Sequence, residues 1–319
     1  MRIDTQGPRV TVLVPSFQQG RYLQATLASI ESACREPVAV HVLDAASTDE
    51  TVDILRVWES RPWFRWRSRP DGGVHDAIAE GLREARTELC AVQSSDDLYL
   101  PGALDAAVEA LDDHPDVVAV YADAELIDAE GARVGQTNVA PYTLDNLLAK
   151  RSYVMQSSAV FRTQAARDVG GFRPDRPYVC DSEMWIRMAL RHPLLRVQGV
   201  WSRYRLHGAQ RDRQADRIVR EWWELVEALR PLLTRRQRRQ ARIGAYMTAY
   251  RYGDPHGWGR GVALWKALAL GPTAVAAPGF PRADLALPLR YLGSRVKRLL
   301  RGGARSEASA AEGGGGASG

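Results

Sequence analysis

The chain has no run of eighteen apolar residues free of charge, so a membrane-spanning helix is not expected. Its first residues, Met1-Arg2-Ile3-Asp4-Thr5, lack the apolar stretch of a secretory signal, and none is read there. Cysteine is scarce. Cys34, Cys90 and Cys180 are odd in number, widely scattered and without metal-ligand spacing, which excludes a disulfide framework or a thiolate metal site. Free thiols in a reducing, cytoplasmic setting are expected. Internal repeats are absent. Acidic residues become rare in the second part of the chain, with 7 against 25 basic over residues 186–305. Residues 1–185 have the opposite balance, 29 acidic against 18 basic, so the formal net charge of +5 hides two unlike regions. The basic region is suited to anionic lipid, nucleic acid or a polyanionic substrate, or is simply a solvated helical surface.

What is present is enough for a large core: 319 residues, 45% hydrophobic. Strand-like and helical stretches alternate. Val10–Val14, Val38–Leu43, Phe64–Arg67 and Leu89–Gln93 read as strands. Helical spacing follows each of the first three, over Tyr22–Ser32, around Val52–Leu55 and from Gly72-Gly73 through Leu82. Ser47-Thr48-Asp49-Glu50 is a capping pattern. A helix over Gly102–Leu111 and a strand over Val117–Tyr121 come next. Farther on, Tyr153–Phe161 reads as extended, Asp181–Met188 as the start of a helix and Val197–Tyr204 as a strand. This order predicts an α/β fold with a mostly parallel sheet flanked by helices. The expected organisation is an α/β domain over 8–214, a basic, mostly helical region over 215–305 and a disordered tail over 306–319.

In such sheets ligands bind beyond the carboxyl ends of the strands. Polar clusters sit at three of those ends: Pro15-Ser16, Asp44 and Ser95-Asp96-Asp97. Paired carboxylates after an apolar strand need water, donors or a cation. A hard divalent cation bridging to phosphates satisfies them, and so does service as a helix N-cap near Pro101. Asp44 is placed to accept from a uracil-like imide or a ribose, or to make the following turn. Asp71 and Asp76 line the same side, or build the turn and complement the helix start there. Asp181 precedes Met184 and Trp185, which suggests a partly desolvated base; a helix cap is the alternative. His207 is a surface histidine or reaches a metal or phosphate, and Arg203 or Arg205 is available to offset diphosphate charge. Cys180 has no local His or Asn pattern and reads as an incidental thiol.

Taken together and in order, these pieces resemble family-2 glycosyltransferases over about residues 8–210. The resemblance rests on Val12-Leu13-Val14-Pro15-Ser16, Asp44 through Asp49, Pro70 through Ala77, Ser94 through Ala103, Asp181 through Trp185, and Arg205-Leu206-His207. It implies the GT-A fold and inverting transfer of a sugar from a nucleoside-diphosphate sugar, a UDP-sugar foremost, to a hydroxyl acceptor. It also implies Mg²⁺ or Mn²⁺ on Asp97 with help from His207, and Asp181 as general base. Asp44, Pro15 and Ser16 are then implied on the nucleoside side, with Asp71 and Asp76 near them and Asp96 on the sugar or ribose side. Three departures stand out: Ala45-Ala46 where two glycines are usual, Ser94 for a frequent asparagine, and Ala79-Glu80 for an asparagine–lysine pair. The Gln-x-x-Arg-Trp signature of processive synthases is missing, which favours addition of one sugar. A glycan or lipid-linked glycan acceptor of the cell envelope is expected. So is peripheral contact of the basic region with the inner face of the membrane, and no nucleic acid. The alternatives are a sugar-nucleotide-binding protein without turnover, or a nucleotidyltransferase. The latter calls for a glycine-rich basic loop where this chain has Pro15 through Arg21.

Overall fold

The computed structural model describes residues 7–137, 141–208, 214–253, 258–275 and 280–286. The first half follows the alternation closely. Strands β1 (Val10–Ser16), β2 (Val38–Asp44), β3 (Phe64–Ser68) and β4 (Leu89–Val92) are joined by helices α1 (Gly20–Ser32), α2 (Thr51–Trp58) and α3 (Val74–Glu84). β1 lies between β2 and β4, and β3 lies outside β2, all parallel. Both faces of β1 are buried, which is why it reads as an unbroken apolar run.

After β4 the sheet changes sense. A two-residue strand β5 (Leu98–Tyr99) and helix α4 (Ala103–Asp113) lead into β6 (Ala119–Ile127), which hairpins to β7 (Arg133–Gln136). Helix α5 (Leu144–Leu148) and a 3₁₀ turn precede β8 (Ala159–Arg162), which runs antiparallel between β4 and β6. Helices α6 (Thr163–Asp168) and α7 (Cys180–Ala189) then lead to β9 (Leu194–Arg205), parallel to β6 and antiparallel to β5. The strand order is β3-β2-β1-β4-β8-β6-β9-β5, with β7 beside β6. The expected extended run over Tyr153–Phe161 is therefore a turn followed by a strand. The expected strands at Val117 and Val197 are longer and shifted.

Alternate residues feed two cores. Leu13, Leu43, Val92 and Tyr121 pack on one face with residues of α3, α6 and α7, and Val12, Val14, Val42 and Ala91 pack on the other with α1, α2 and α4. The C-terminal helices α8 (Ala215–Leu229), α9 (Arg235–Tyr252) and α10 (Trp258–Leu270) form an annex. Ile218, Trp222, Leu225 and Val226 of α8 pack against Leu147, Leu148, Val179 and Ile186 of α5 and α7. Among the described residues no helix is long and apolar enough to cross a membrane. The expected disordered tail, 306–319, lies outside the described residues.

Two loops at the carboxyl end of the sheet are stapled together. Asp49 accepts from Gly20 N (2.9 Å) at the start of α1 and from Thr51 N (3.1 Å) at the start of α2. One carboxylate thus serves two helix N-termini, a stronger form of the capping read from Ser47–Glu50. Gln18 N donates to Ser47 Oγ (2.8 Å) and the Gln18 amide donates to Thr48 Oγ1 (2.9 Å). Ala46, at a position where the resemblance leads to glycine being expected, sits in the left-handed region with φ 61°. An L side chain there is strained by roughly 1–2 kcal/mol. Ala46→Gly is expected to raise stability by about 0.5–1 kcal/mol after the entropy cost of glycine, read as a higher thermal midpoint. A lower midpoint would show that the methyl makes compensating contacts.

Candidate active site

The acidic pair after β4 is held from both sides. Thr26 in the middle of α1 is fully buried, and its hydroxyl donates to the carbonyls of Ser95 and Asp97, each at 2.9 Å. From the other side comes the end of β9. Arg205 N donates to Asp97 Oδ1 (2.8 Å), and Arg205 Nε donates to Asp96 O (2.9 Å). Asp97 is 1% exposed. Burial, and then the neighbouring Asp96 carboxylate, push its pKa well above the usual carboxylate range, opposed by the Arg205 amide and charge. Asp97 is therefore the tether between two strand ends.

Asp96 points the other way. Its Oδ2 lies 2.8 Å from His207 Nε2, and both side chains are only slightly exposed, 13% and 8%. Tyr22 of α1 packs on this pair, its ring 5.3 Å from that of His207 and beneath the Arg205 guanidinium at 4.6 Å. A carboxylate oxygen and an imidazole nitrogen this close suit two adjacent ligands of one small divalent cation. Among the described residues no group of three or more His, Cys, Asp or Glu side chains gathers into a metal cage. The donor set thus fits a cation completed by phosphate oxygens and water, and does not fit a closed protein site.

The nucleoside-side candidates also cluster, in a different condition from the one expected. Ser16 and Asp44 are register partners at the ends of β1 and β2. Asp44 is fully buried and spends both oxygens within the chain: Oδ1 accepts from Ser47 Oγ (2.5 Å), and Oδ2 from Ser47 N (2.9 Å) and Ser68 Oγ (2.6 Å). Its turn-making role is the one realised in this geometry. Pro15 is buried beside it. Ser16 Oγ, in a residue only 5% exposed, has no hydrogen-bond partner among the described residues. Such an orphaned hydroxyl is costly unless something else meets it. Asp71 accepts from Arg67 Nη1 (3.0 Å) and Gly73 N (2.8 Å), and exposed Asp76 accepts from Gly72 N (3.1 Å), so both shape the turn before α3. The unusual Glu80 belongs here too, held by Arg67 (2.8 Å) and Arg69 (3.0 Å).

Asp181 stands in the first turn of α7. The helix ends where the chain enters β9 at Leu194, the partner of Ala119, the first residue of β6. That is the amino end of the parallel strands. Ten helical residues span about 15 Å, and Trp185 stacks edge-on against Phe161 of β8 at 5.5 Å. The start of α7 therefore points toward the carboxyl edge, the edge that carries Asp44 and Asp96. Asp181 is half-buried and makes no hydrogen bond or ion pair among the described residues. It is not a cap: the N-cap position is Val179, without a side-chain hydrogen bond. Met184 and Trp185, three and four positions farther along the helix, are fully buried in the core. Its neighbour Glu183 is 2% exposed and locked to Arg176 (3.0 Å) and Arg187 (3.6 Å). Of the two acids, only Asp181 is left open for chemistry.

Arg205 directs its guanidinium to the carbonyls of Asp96, Asp128 and Ala129, and Arg203 bonds Glu125 at 3.0 Å, so each has partners within the protein. Tyr22 and Thr26 are the residues the sequence reading passed over. Both lie on the α1 face read as ordinary core, and a threonine buried mid-helix was the available signal.

The model of Glycosyl transferase family 2 matches residues 11–170. An uncharacterized glycosyltransferase of Mycobacterium tuberculosis, Rv1514c, is 29% identical over 191 residues, covering 58% of this chain and 71% of its own. Chondroitin synthase of Escherichia coli is 22% identical over 206 residues, 63% of this chain and 29% of its own. Among solved structures, Staphylococcus aureus TarS 1–349 in complex with UDP-GlcNAc superposes with a TM-score of 0.63 at 14% identity, covering 84% of this chain and 83% of its own. The mannosyltransferase PcManGT of Pyrobaculum calidifontis, in complex with GDP-Man and Mn²⁺, does so with a TM-score of 0.60 at 21% identity, covering 95% and 85%. With parallel β3-β2-β1-β4 passing into an antiparallel β8, the fold is GT-A, and the chain belongs to glycosyltransferase family 2.

Proposed function

We propose that this glycosyltransferase transfers one sugar, with inversion, from a nucleoside-diphosphate sugar to the hydroxyl of a glycan or lipid-linked glycan of the cell envelope. A UDP-sugar is the donor of first choice. The observation that carries the reading is the pairing of Asp96 with His207 at the carboxyl edge of the sheet, and the unpaired Asp181 in the first turn of α7 supports it. Nucleotide-sugar complexes of TarS and PcManGT support a donor of this class.

The nucleoside lies over Pro15 and Ser16, where the orphaned Ser16 hydroxyl gains a partner. Asp44, Asp71 and Asp76 shape the loops around it. Asp96 and His207 would hold Mg²⁺ or Mn²⁺, and Asp97 keeps Asp96 in place through the Arg205 amide. When bound with the diphosphate, the cation supplies positive charge to the leaving group. Asp181 accepts the acceptor's proton while that oxygen attacks the anomeric carbon opposite the diphosphate. The new C–O bond forms as the sugar–phosphate C–O bond breaks, and the electron pair leaves on the diphosphate. One displacement inverts the centre.

The annex offers the membrane-facing surface. Arg235, Arg238 and Arg242 repeat along the exposed side of α9, near the exposed Leu232. They suit anionic headgroups on the inner face of the cell membrane.

Three measurements test these assignments. Asp181→Asn should retain the thermal shift produced by the donor with Mn²⁺ but lose transfer by a factor on the order of 10² or more; undiminished transfer would remove Asp181 from its role. Asp96→Asn and His207→Ala should each abolish the Mn²⁺-dependent part of that shift, while Asp97→Asn, which keeps an acceptor for the Arg205 amide, should preserve it. The reverse pattern would return the metal to Asp97. Reversing Arg235, Arg238 and Arg242 to Glu in the full chain should end flotation with anionic vesicles, and flotation equal to wild type would count against the membrane surface.

A further inference from the structure

Helix α8 carries one acid inside its buried stripe. Ile218, Glu221, Trp222, Leu225, Val226 and Leu229 recur at helical spacing on the covered face, and all but Glu221 are apolar. Glu221 is 5% exposed, and burial raises its pKa above the usual carboxylate range. A carboxylate in that position is expensive unless donors meet it. The donors are backbone amides of another element: Tyr178 N donates to Glu221 Oε2 at 2.7 Å, and the Val179 amide faces the same carboxylate.

Those amides belong to the segment that enters α7, two and three residues before Asp181. A helix start leaves amides without intrahelical partners, and α7 has no side-chain cap of its own at Val179. Glu221, from a distant helix, holds the two amides just before α7, and its carboxylate sits where the helix dipole favours negative charge. A second clasp lies beside it, since Arg217 Nη1 donates to the Tyr178 hydroxyl at 3.1 Å. Trp222 and Ile218 pack on Val179 and Ile186 below.

We infer that Glu221 is a positioning residue for Asp181: the annex fastens the first turn of α7, and so sets where the base stands over the acceptor. This rests on the reading of Asp181 as base. The donor side is built from β1, β2, β4 and the end of β9, and does not involve Glu221. Loosening α7 should therefore affect acceptor activation and spare donor and metal binding. Displacement of a reacting group by about 1 Å costs on the order of a hundredfold in rate.

The test uses the full chain with Glu221→Ala, the conservative Glu221→Gln, and Asp181→Asn. Hydrogen exchange of the amides of Tyr178–Glu183 should quicken about tenfold in Glu221→Ala, as expected for loss of a charge-assisted bond. Exchange in α1 and α3 should stay at wild-type rates, and Glu221→Gln should restore most of the protection. Nucleotide release from UDP-GlcNAc or GDP-mannose, whichever the wild type turns over, should show a lower kcat with an unchanged KM and unchanged activation by Mn²⁺. Unaltered exchange over 178–183, or faster exchange spread evenly over the chain, overturns the inference, as does a raised donor KM at wild-type kcat. An active Asp181→Asn instead defeats the base assignment, and the exchange result still decides whether Glu221 fastens α7.

Discussion

The site depends on one hydrogen bond between distant parts of the chain, from Arg205 N to the buried Asp97 carboxylate. It joins the end of β4, in the parallel half of the sheet, to the end of β9, in the mixed half. Together with the pairing of Leu98 with Arg203 in β5 and β9, it brings Asp96 and His207, 111 positions apart, to one place. The bond is made where a carboxylate is costly, which is why so many other contacts converge on it. Thr26 grips the same backbone turn from α1, and the Arg205 side chain ties down the carbonyls around it. A buried acceptor of this kind favours the one local arrangement that brings it a donor.

The parallel half of the fold was readable because its strands are buried on both faces and its helices follow at regular spacing. Val10–Ser16 and Val38–Asp44 differ from the expected strands by a residue or two. The mixed half was harder for a physical reason. β5 is two residues long, β7 is largely exposed, and β8 is a four-residue strand whose direction is set by the chain it joins, not by its own pattern. In the site, residue types at strand ends picked out Ser16, Asp44, Asp96 and Asp97, and the family resemblance added His207. Their orientation was not readable: adjacent aspartates look equivalent in sequence, and only the path of β9 decides which is turned inward. Glu221 left a fainter trace, a charge at an apolar position of α8, visible only once that helix has a covered side.

The charge asymmetry also gains a structural meaning. The acidic first part supplies β1 to β8 and the carboxylate-lined edge, whereas the basic part supplies β9 and the annex, where the arginines of α9 are exposed. Arg236 reaches back to Asp145 at 2.7 Å, one of the bridges between the two regions. The annex is thus joined to the catalytic body by apolar packing and by individual polar clasps, and its outer surface is left strongly positive.

The shared carboxylate of Asp49 has a bearing on how such an enzyme diversifies. Because it anchors both α1 and α2, and Gln18 grips Thr48 alongside it, the loops after β1 and β2 are fastened to each other as a single lip. With the nucleoside placed there as proposed, a change of base preference by drift in one loop alone meets resistance from the other. Lineages that switch nucleotides should then carry matched substitutions on both sides of that lip, inherited as a pair.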